Sequence, residues 1–128
     1  MKYLFLLLIS TSYIFANAHI FVYHRFADDR FPSTNTSIKE LTKQFDYFKN
    51  NNYKVVPLSQ ILTKLENKEV IPEKWIALTI DDAYKTFYEH GLEVFKKYNY
   101  PFSLYVYVKA TDKNYTDYMT WKQIKESA

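Results

Sequence analysis

The sequence predicts an α/β fold that is built on a parallel sheet. A continuous apolar run over residues 75–80 is typical of a strand that is buried on both faces. Strand-like and helix-like segments alternate along the chain in the order strand, helix, strand, helix, strand, helix, strand, which favours parallel βα units. The apolar run ends in Asp81 and Asp82, and in such folds ligands bind at the carboxyl ends of the strands.

The first half of the chain predicts two strands and two helices. Residues 20–23 and 53–56 are the strand candidates. Ser37 to Glu40 has the pattern of a capping box, which opens a helix. Apolar side chains recur at helical spacing after that box, at Ile38, Leu41, Phe45 and Phe48. A shorter helix is predicted over 58–65, with Ser59 as its candidate cap.

The second half predicts two more helices and one more strand. The segment 84–98 predicts a helix that starts directly after the two carboxylates and ends at Asn99, because Pro101 prevents its continuation. Aromatic and β-branched residues predict a last strand over 102–108. A second capping box at Thr120 predicts a further helix towards the end of the sequence.

Composition excludes some classes of function. The chain has 128 residues, which suits one domain, and no cysteine, which excludes disulfides. Its formal net charge of +3 is too small, and its basic residues too scattered, to favour nucleic-acid binding. Aromatic residues make up 20% of the chain, which favours either a rich core or a surface for sugars. Composition alone does not separate these two.

Residues 1–18 have the pattern of a signal peptide. Lys2 precedes a mostly apolar stretch, residues 3–15, that is too short to span a membrane. Ala16-Asn17-Ala18 has the small-x-small form of a cleavage site. We therefore expect cleavage after Ala18, which leaves a secreted or periplasmic protein with no stable membrane span. The alternative is a short membrane anchor.

Asp81 and Asp82 are the candidate catalytic residues. One carboxylate suits a metal ion, and the other suits a general base that acts on a water bound to that ion. The alternative is that both simply cap the helix that follows. His24 follows the first predicted strand, and imidazole serves as acid, base or zinc ligand. We expect His24 at the site only if its strand neighbours the Asp81 strand.

Three segments, in this order, resemble the polysaccharide deacetylases of carbohydrate esterase family 4. Residues 78–84, Leu-Thr-Ile-Asp-Asp-Ala-Tyr, resemble the first motif of that family, Thr-Phe-Asp-Asp-Gly, with Ala83 at the glycine position. Residues 101–106 resemble the strand that follows in the family. Residues 21–26, Phe-Val-Tyr-His-Arg-Phe, resemble its Tyr-His entry segment. The resemblance extends from about residue 20 to the end of the sequence.

The resemblance implies a parallel (β/α) barrel-like deacetylase fold, of which residues 19–128 form the N-terminal part, the first half of the barrel. It implies a metal-dependent hydrolase that removes N-acetyl groups from a polysaccharide. Asp81 is then the general base, Asp82 a ligand of a zinc-like divalent metal, and His24 a catalytic residue close to them. The partner is an N-acetylated glycan substrate.

The second metal motif of the family, His-x-x-x-His, has no counterpart in this sequence. It would follow the helix that starts near Thr120, so we expect a chain truncated before it. Two alternatives remain open. One is a non-catalytic remnant or carbohydrate-binding module with the same half-fold, and the other is an unrelated small α/β protein.

Overall fold

A parallel four-stranded sheet organises the fold in the computed structural model, which describes residues 18–128. The strands are β1 (His19–Tyr23), β2 (Arg25–Phe26), β3 (Asn35–Thr36), β4 (Lys54–Val55), β5 (Trp75–Ile80) and β6 (Ser103–Leu104). The helices are α1 (Ile38–Asn50), α2 (Leu58–Glu66), α3 (Leu92–Tyr98), α4 (Val108–Asp112) and α5 (Trp121–Ser127), and a π-helical turn, Phe87–Gly91, leads into α3.

Strand β5 is the centre of the sheet. β1 pairs with it in parallel from His19 opposite Ile76 to Tyr23 opposite Ile80. On its other side β5 pairs with β4 at its beginning and with β6 at its end, both in parallel. β2 and β3 form a separate two-stranded parallel sheet. The predicted α/β fold with a parallel sheet is therefore confirmed.

The predicted signal peptide lies outside the described residues, apart from Ala18. The structure therefore does not test cleavage after Ala18. Within residues 18–128, none of the helices combines the length and the apolar character that crossing a lipid bilayer requires.

The core is largely aromatic and lies between the sheet and helices α1 and α3. Five residues of β5, from Ile76 to Ile80, are buried, as the apolar run predicts. The ring of Phe95 stands edge-on to its aromatic neighbours at centroid distances of 4.9 to 6.2 Å, a favourable geometry. Those neighbours are Tyr23, Phe26, Phe45, Phe87 and Phe102. Much of the aromatic content is therefore core.

Both predicted capping boxes are present. The Ser37 side chain accepts a hydrogen bond from the backbone N–H of Glu40, and the Glu40 carboxylate accepts one from the N–H of Ser37. Thr120 and Gln123 make the same reciprocal pair at α5. Each box satisfies two N–H groups that the first turn of a helix leaves without partners.

The predicted last strand over 102–108 is wrong over most of its length. Only Ser103–Leu104 pair with β5, and Val108 already begins α4. The backbone N–H of Tyr105 makes one more bond to the sheet, to the carbonyl of Ile80 at 2.8 Å, before the chain leaves it. Helix α4 has no side-chain cap, so its start has no signal in the sequence.

Three other predictions need correction. Ser59 does not cap α2, because Pro57 occupies the N-cap position and Ser59 lies inside the helix. The polar residues between Asp28 and Asn35 predict a loop after His24, yet Asn35–Thr36 forms β3 and pairs with β2, with Arg25 and Ala27 donating backbone bonds to Thr34 and Thr36. The helix over 84–98 is not regular, since it widens to a π-helix over Phe87–Gly91.

Gly91, the single glycine of the chain, explains the fit of that π-helical turn. A Cβ atom at Gly91 would lie 2.9 Å from Cγ of Phe26, closer than such contacts allow. Because Gly91 has no side chain, the π-helical turn packs directly on the ring of Phe26.

We expect Phe95→Ala to lower the free energy of unfolding by about 3–5 kcal/mol, because it removes a fully enclosed ring. Tyr47→Ala is the control, since its side chain is 56% exposed, and we expect a loss of less than about 1 kcal/mol. Urea unfolding followed by circular dichroism measures both. Equal losses for the two variants would contradict this description of the core.

Candidate active site

The pairing of β1 with β5 brings His24 and Asp81 together. Tyr23 lies opposite Ile80 in the parallel register, so the next residue of each strand emerges at the same sheet edge. The N–H of Asp81 donates to the carbonyl of Tyr23 at 2.8 Å, which extends the ladder to the site. Nε2 of His24 lies 3.9 Å from Oδ2 of Asp81, and these side chains are 34% and 39% exposed. Both are therefore accessible to solvent.

The turn after β5 has an unusual backbone. Asp82 and Ala83 both have positive φ, 65° and 52°, in the left-handed region. That region costs an L-residue about 1–2 kcal/mol, and glycine adopts it without this penalty. The glycine of the family's first motif corresponds to Ala83, so the sequence departs from the motif at a position where glycine is the least strained residue.

The helix-cap interpretation of the two carboxylates is not supported. The helical segment begins at Lys85, and the π-helical turn within it has no side-chain hydrogen bond at its start. Instead Asp81 and Asp82 face an open cleft of about 500 Å³, which is also lined by Tyr105, Val106 and Tyr107. The cleft is the candidate active site because it joins accessible carboxylates to aromatic side chains.

Sequence reasoning missed the two tyrosines of the cleft. It placed Tyr105 and Tyr107 in a strand, whereas both side chains are exposed beyond the end of β6. The alternation Tyr-Val-Tyr was the available signal, since residues i and i+2 of an extended chain face the same side. A larger cavity of about 620 Å³, where α1, β4 and α3 meet, contains neither His24 nor the carboxylate pair.

A buried arginine, Arg25, packs against Tyr84, two residues after Asp82. Arg25 is only 6% exposed, although it follows closely on the end of β1. Its guanidinium carbon lies 3.8 Å from the ring centroid of Phe31 and 3.6 Å from that of Tyr84. Its Nη1 donates to Oδ2 of Asp28 at 2.9 Å. Stacking between two rings and pairing with a carboxylate offset the cost of burying this cation.

Asp28 is the shared anion of this cluster. Arg30 donates to both of its carboxylate oxygens, at 2.8 and 3.0 Å, from the solvent side. The hydrogen bonds from Arg30, and then those from Arg25, outweigh burial and lower the pKa of Asp28 to about 2. The Asp28 carboxylate therefore stays ionised over the whole physiological pH range.

The segment before α5 holds the other side of the turn. The N–H of Met119 donates to the carbonyl of Ala83 at 2.9 Å, and the N–H of Lys85 donates to that of Asp117 at 2.8 Å. The Tyr118 ring lies 4.9 Å from the Tyr84 ring. Burial, with smaller contributions from the Tyr84 hydroxyl and the Asp82 carboxylate, raises the pKa of Tyr118 to about 12. The phenol is therefore neutral beside the site.

The described residues do not fit a zinc-like ion by themselves. Protein zinc sites use three or more ligands, usually His, Cys, Asp or Glu. Over residues 18–128, no group of three such side chains converges, although Asp82, the predicted ligand, lies in the cleft. A site for such an ion therefore needs ligands beyond those that the described part of the chain brings together.

Comparison with known proteins agrees with the resemblance seen in the sequence. Residues 68–128 match the family model of the polysaccharide deacetylases. Over 75 residues the chain is 35% identical to the poly-β-1,6-N-acetyl-D-glucosamine N-deacetylase of Escherichia coli K12, a match that covers 59% of this chain and 11% of that protein.

Solved structures agree as well. A de-N-acetylase from Aggregatibacter actinomycetemcomitans is similar with a TM-score of 0.73 and 28% identity, over 85% of this chain and 49% of that one. IcaB from Ammonifex degensii is similar with a TM-score of 0.77 and 25% identity, over 86% of this chain and 47% of that one.

The chain is therefore similar to the polysaccharide deacetylases, and the match to the family model lies in residues 68–128. The similar solved structures are deacetylases with the (β/α) barrel fold, so the predicted fold family is confirmed. The chain spans about half the length of those structures and about a tenth of the E. coli protein.

We expect Asp28→Asn to destabilise the fold at pH 7 by about 3 kcal/mol, because it leaves the Arg25 cation buried without its counter-ion. The folded pKa of Asp28 lies below its unfolded value, so the stability it provides is complete above about pH 4 and is lost towards pH 2. The difference between wild type and variant should therefore shrink over that range. Urea midpoints at pH 7, 4 and 3 measure it.

The control is Asp29→Asn, which alters the neighbouring exposed carboxylate and leaves the Arg25 pair intact. We expect Asp29→Asn to follow the wild type at every pH. A difference between wild type and Asp28→Asn that stays constant from pH 7 to pH 3 would contradict the ionised Asp28 cluster.

Proposed function

We propose that this chain supplies the acid–base half of an active site that hydrolyses N-acetyl groups on a polysaccharide. The observation that supports this most directly is the pair His24 and Asp81, 3.9 Å apart at adjoining strand ends beside an open cleft. The relationship to an N-deacetylase of E. coli gives the reaction class.

The two side chains suit the proton transfers of amide hydrolysis. Asp81, as a carboxylate, takes a proton from water while the water oxygen attacks the acetyl carbonyl carbon. His24, in its imidazolium form, gives a proton to the departing amine nitrogen as the C–N bond breaks. Acetate and a free amine on the sugar are the products.

Asp82 is assigned a different role, that of one carboxylate ligand for a divalent cation. The assignment rests on the family resemblance and on the position of Asp82 in the cleft. The ligands within residues 18–128 do not make a complete site, so the remaining ligands of such a cation have to come from outside this set. Asp81 and Asp82 are adjacent in the sequence, but the proposal gives them different roles.

The cleft suits a glycan. Tyr105 and Tyr107 offer exposed aromatic faces beside the carboxylates, and the apolar faces of sugar rings pack on such surfaces. The E. coli relative is named for poly-β-1,6-N-acetyl-D-glucosamine, which makes an N-acetylglucosamine polymer the first substrate to test. A secreted or periplasmic location, which the pattern of residues 1–18 predicts, gives access to such polymers.

A carbohydrate-binding module without catalysis is the second candidate. It is favoured by the exposed tyrosines and by the incomplete set of metal ligands among the described residues. The two candidates differ in one outcome, the release of acetate, while both predict that the glycan binds beside Tyr105 and Tyr107.

The test is acetate release from a poly-N-acetylglucosamine substrate, with and without added zinc, cobalt or nickel, by the protein purified from its source, so that any ligands beyond residues 18–128 are present. We expect Asp81→Asn to lower kcat by at least about 100-fold, because it removes the base that accepts a proton from water. We expect His24→Gln to do the same through the loss of the acid. His90→Gln is the matched control, since His90 is exposed and outside the cleft.

An Asp81→Asn chain with wild-type kcat would overturn the catalytic assignment. If the wild-type chain releases no acetate with any of the metals, yet binds the polymer, the result favours the binding module. In that case Tyr105→Ala and Tyr107→Ala should each weaken binding, and Tyr47→Ala, which is remote from the cleft, should not.

A further inference from the structure

The turn that presents Asp81 and Asp82 is not held by its own backbone preference. Two successive residues without a glycine, Asp82 and Ala83, adopt the left-handed region, which L-residues avoid. Strained backbone of this kind persists only where neighbouring structure over-determines it. The contacts on both sides of the turn therefore decide where the two carboxylates lie.

On one side the turn is held by backbone hydrogen bonds. Met119 donates to Ala83, Lys85 donates to Asp117, and an isolated antiparallel bridge joins Tyr84 to Tyr118. These bonds attach the turn to the segment before α5.

Tyr84 also contacts the side chain of Arg25. Its guanidinium is 3.6 Å from the centroid of the Tyr84 ring and fills the space between this ring and that of Phe31. Asp28 holds the guanidinium in place, and Arg30 links the same carboxylate to Asp117 at 3.2 Å. Asp117 also accepts the hydrogen bond from the Lys85 N–H, so the cluster and the backbone bonds of the turn share this residue.

We propose that Arg25 is a positioning residue, which holds the Asp81–Asp82 turn in its strained form through its stacked contact with Tyr84. Its effect on catalysis rests on the proposed function, whereas its effect on the turn does not. Arg25 follows His24 directly, so one short segment both supplies the candidate acid and supports the turn that supplies the candidate base.

The chemistry of arginine suits this role better than that of lysine. A guanidinium is planar and stacks between two rings while its N–H groups still reach a carboxylate. An ammonium group is compact and strongly hydrated, so it keeps the charge but not the stacked surface. Arg25→Lys therefore separates the stacking from the charge that pairs with Asp28.

The test is amide hydrogen exchange of the full chain, measured by NMR without substrate. We expect Arg25→Lys to speed exchange at the Met119 and Lys85 amides by at least about tenfold, because the turn opens locally. The Val56 amide, which bonds to Ile76 in the sheet, should stay within about threefold of wild type. Exchange without substrate keeps this test independent of the proposed deacetylase activity.

A second pair of variants changes Tyr84, the other partner of the stacked contact, and replaces the first test if Arg25→Lys does not fold. Tyr84→Leu removes the ring and should give the same local increase, while Tyr84→Phe keeps the ring and should not. Lys97→Gln is the cation control, since Lys97 lies over the ring of Tyr98 on α3, outside the Arg25 cluster. We expect a change of less than about threefold there.

Two results would overturn the proposal. One is unchanged exchange at Met119 and Lys85 in both Arg25→Lys and Tyr84→Leu. The other is an equal increase at all three amides, which indicates a general loss of stability in place of a local effect on the turn. In a chain that releases acetate, Arg25→Lys should also lower kcat with little change in KM.

Discussion

The parallel register between β1 and β5 is the constraint on which the candidate site depends. Parallel strands end at the same edge of a sheet, so Tyr23 opposite Ile80 sets His24 beside Asp81. The Thr79 hydroxyl donates to the Phe21 carbonyl at 3.2 Å and adds a side-chain bond within the paired strands. A shift by one residue would turn Tyr23, the buried residue of β1, to the opposite face and remove its ring from the aromatic core.

The core and the site are joined through a short stretch of chain. Tyr23 and Phe26 belong to the core, whereas His24 lies 3.9 Å from Asp81 and Arg25 stacks on the ring of Tyr84. Gly91 allows the π-helical turn to meet the Phe26 ring, which anchors this stretch from below. Strain at Asp82 and Ala83 is then offset by packing on both sides, as is common where a fold presents functional groups.

The sequence predicted the features that depend on local patterns. The apolar run of β5, the capping boxes at Ser37 and Thr120, and Asp81 at a strand end each follow from neighbouring residues. The burial of Arg25 did not, because arginine is rarely buried and its partners Phe31 and Tyr84 come from separate segments. Tyr105 and Tyr107 have strand-like character, but within residues 18–128 the chain pairs as a strand only up to Leu104, and both tyrosines are exposed beyond it. Whether His24 meets Asp81 was conditional on strand order, which no local pattern contains.

The chain has no cysteine, so an engineered pair can measure the register directly. Neighbouring strands lie about 4.8 Å apart, a separation that a disulfide spans. Under mild oxidation, the double variant His24→Cys with Asp81→Cys should form a disulfide rapidly and completely. The matched pair His24→Cys with Thr79→Cys, which reports a register shifted by two residues, should not. Preferential cross-linking of the Thr79 pair, or none in the Asp81 pair, would contradict the arrangement on which the site depends.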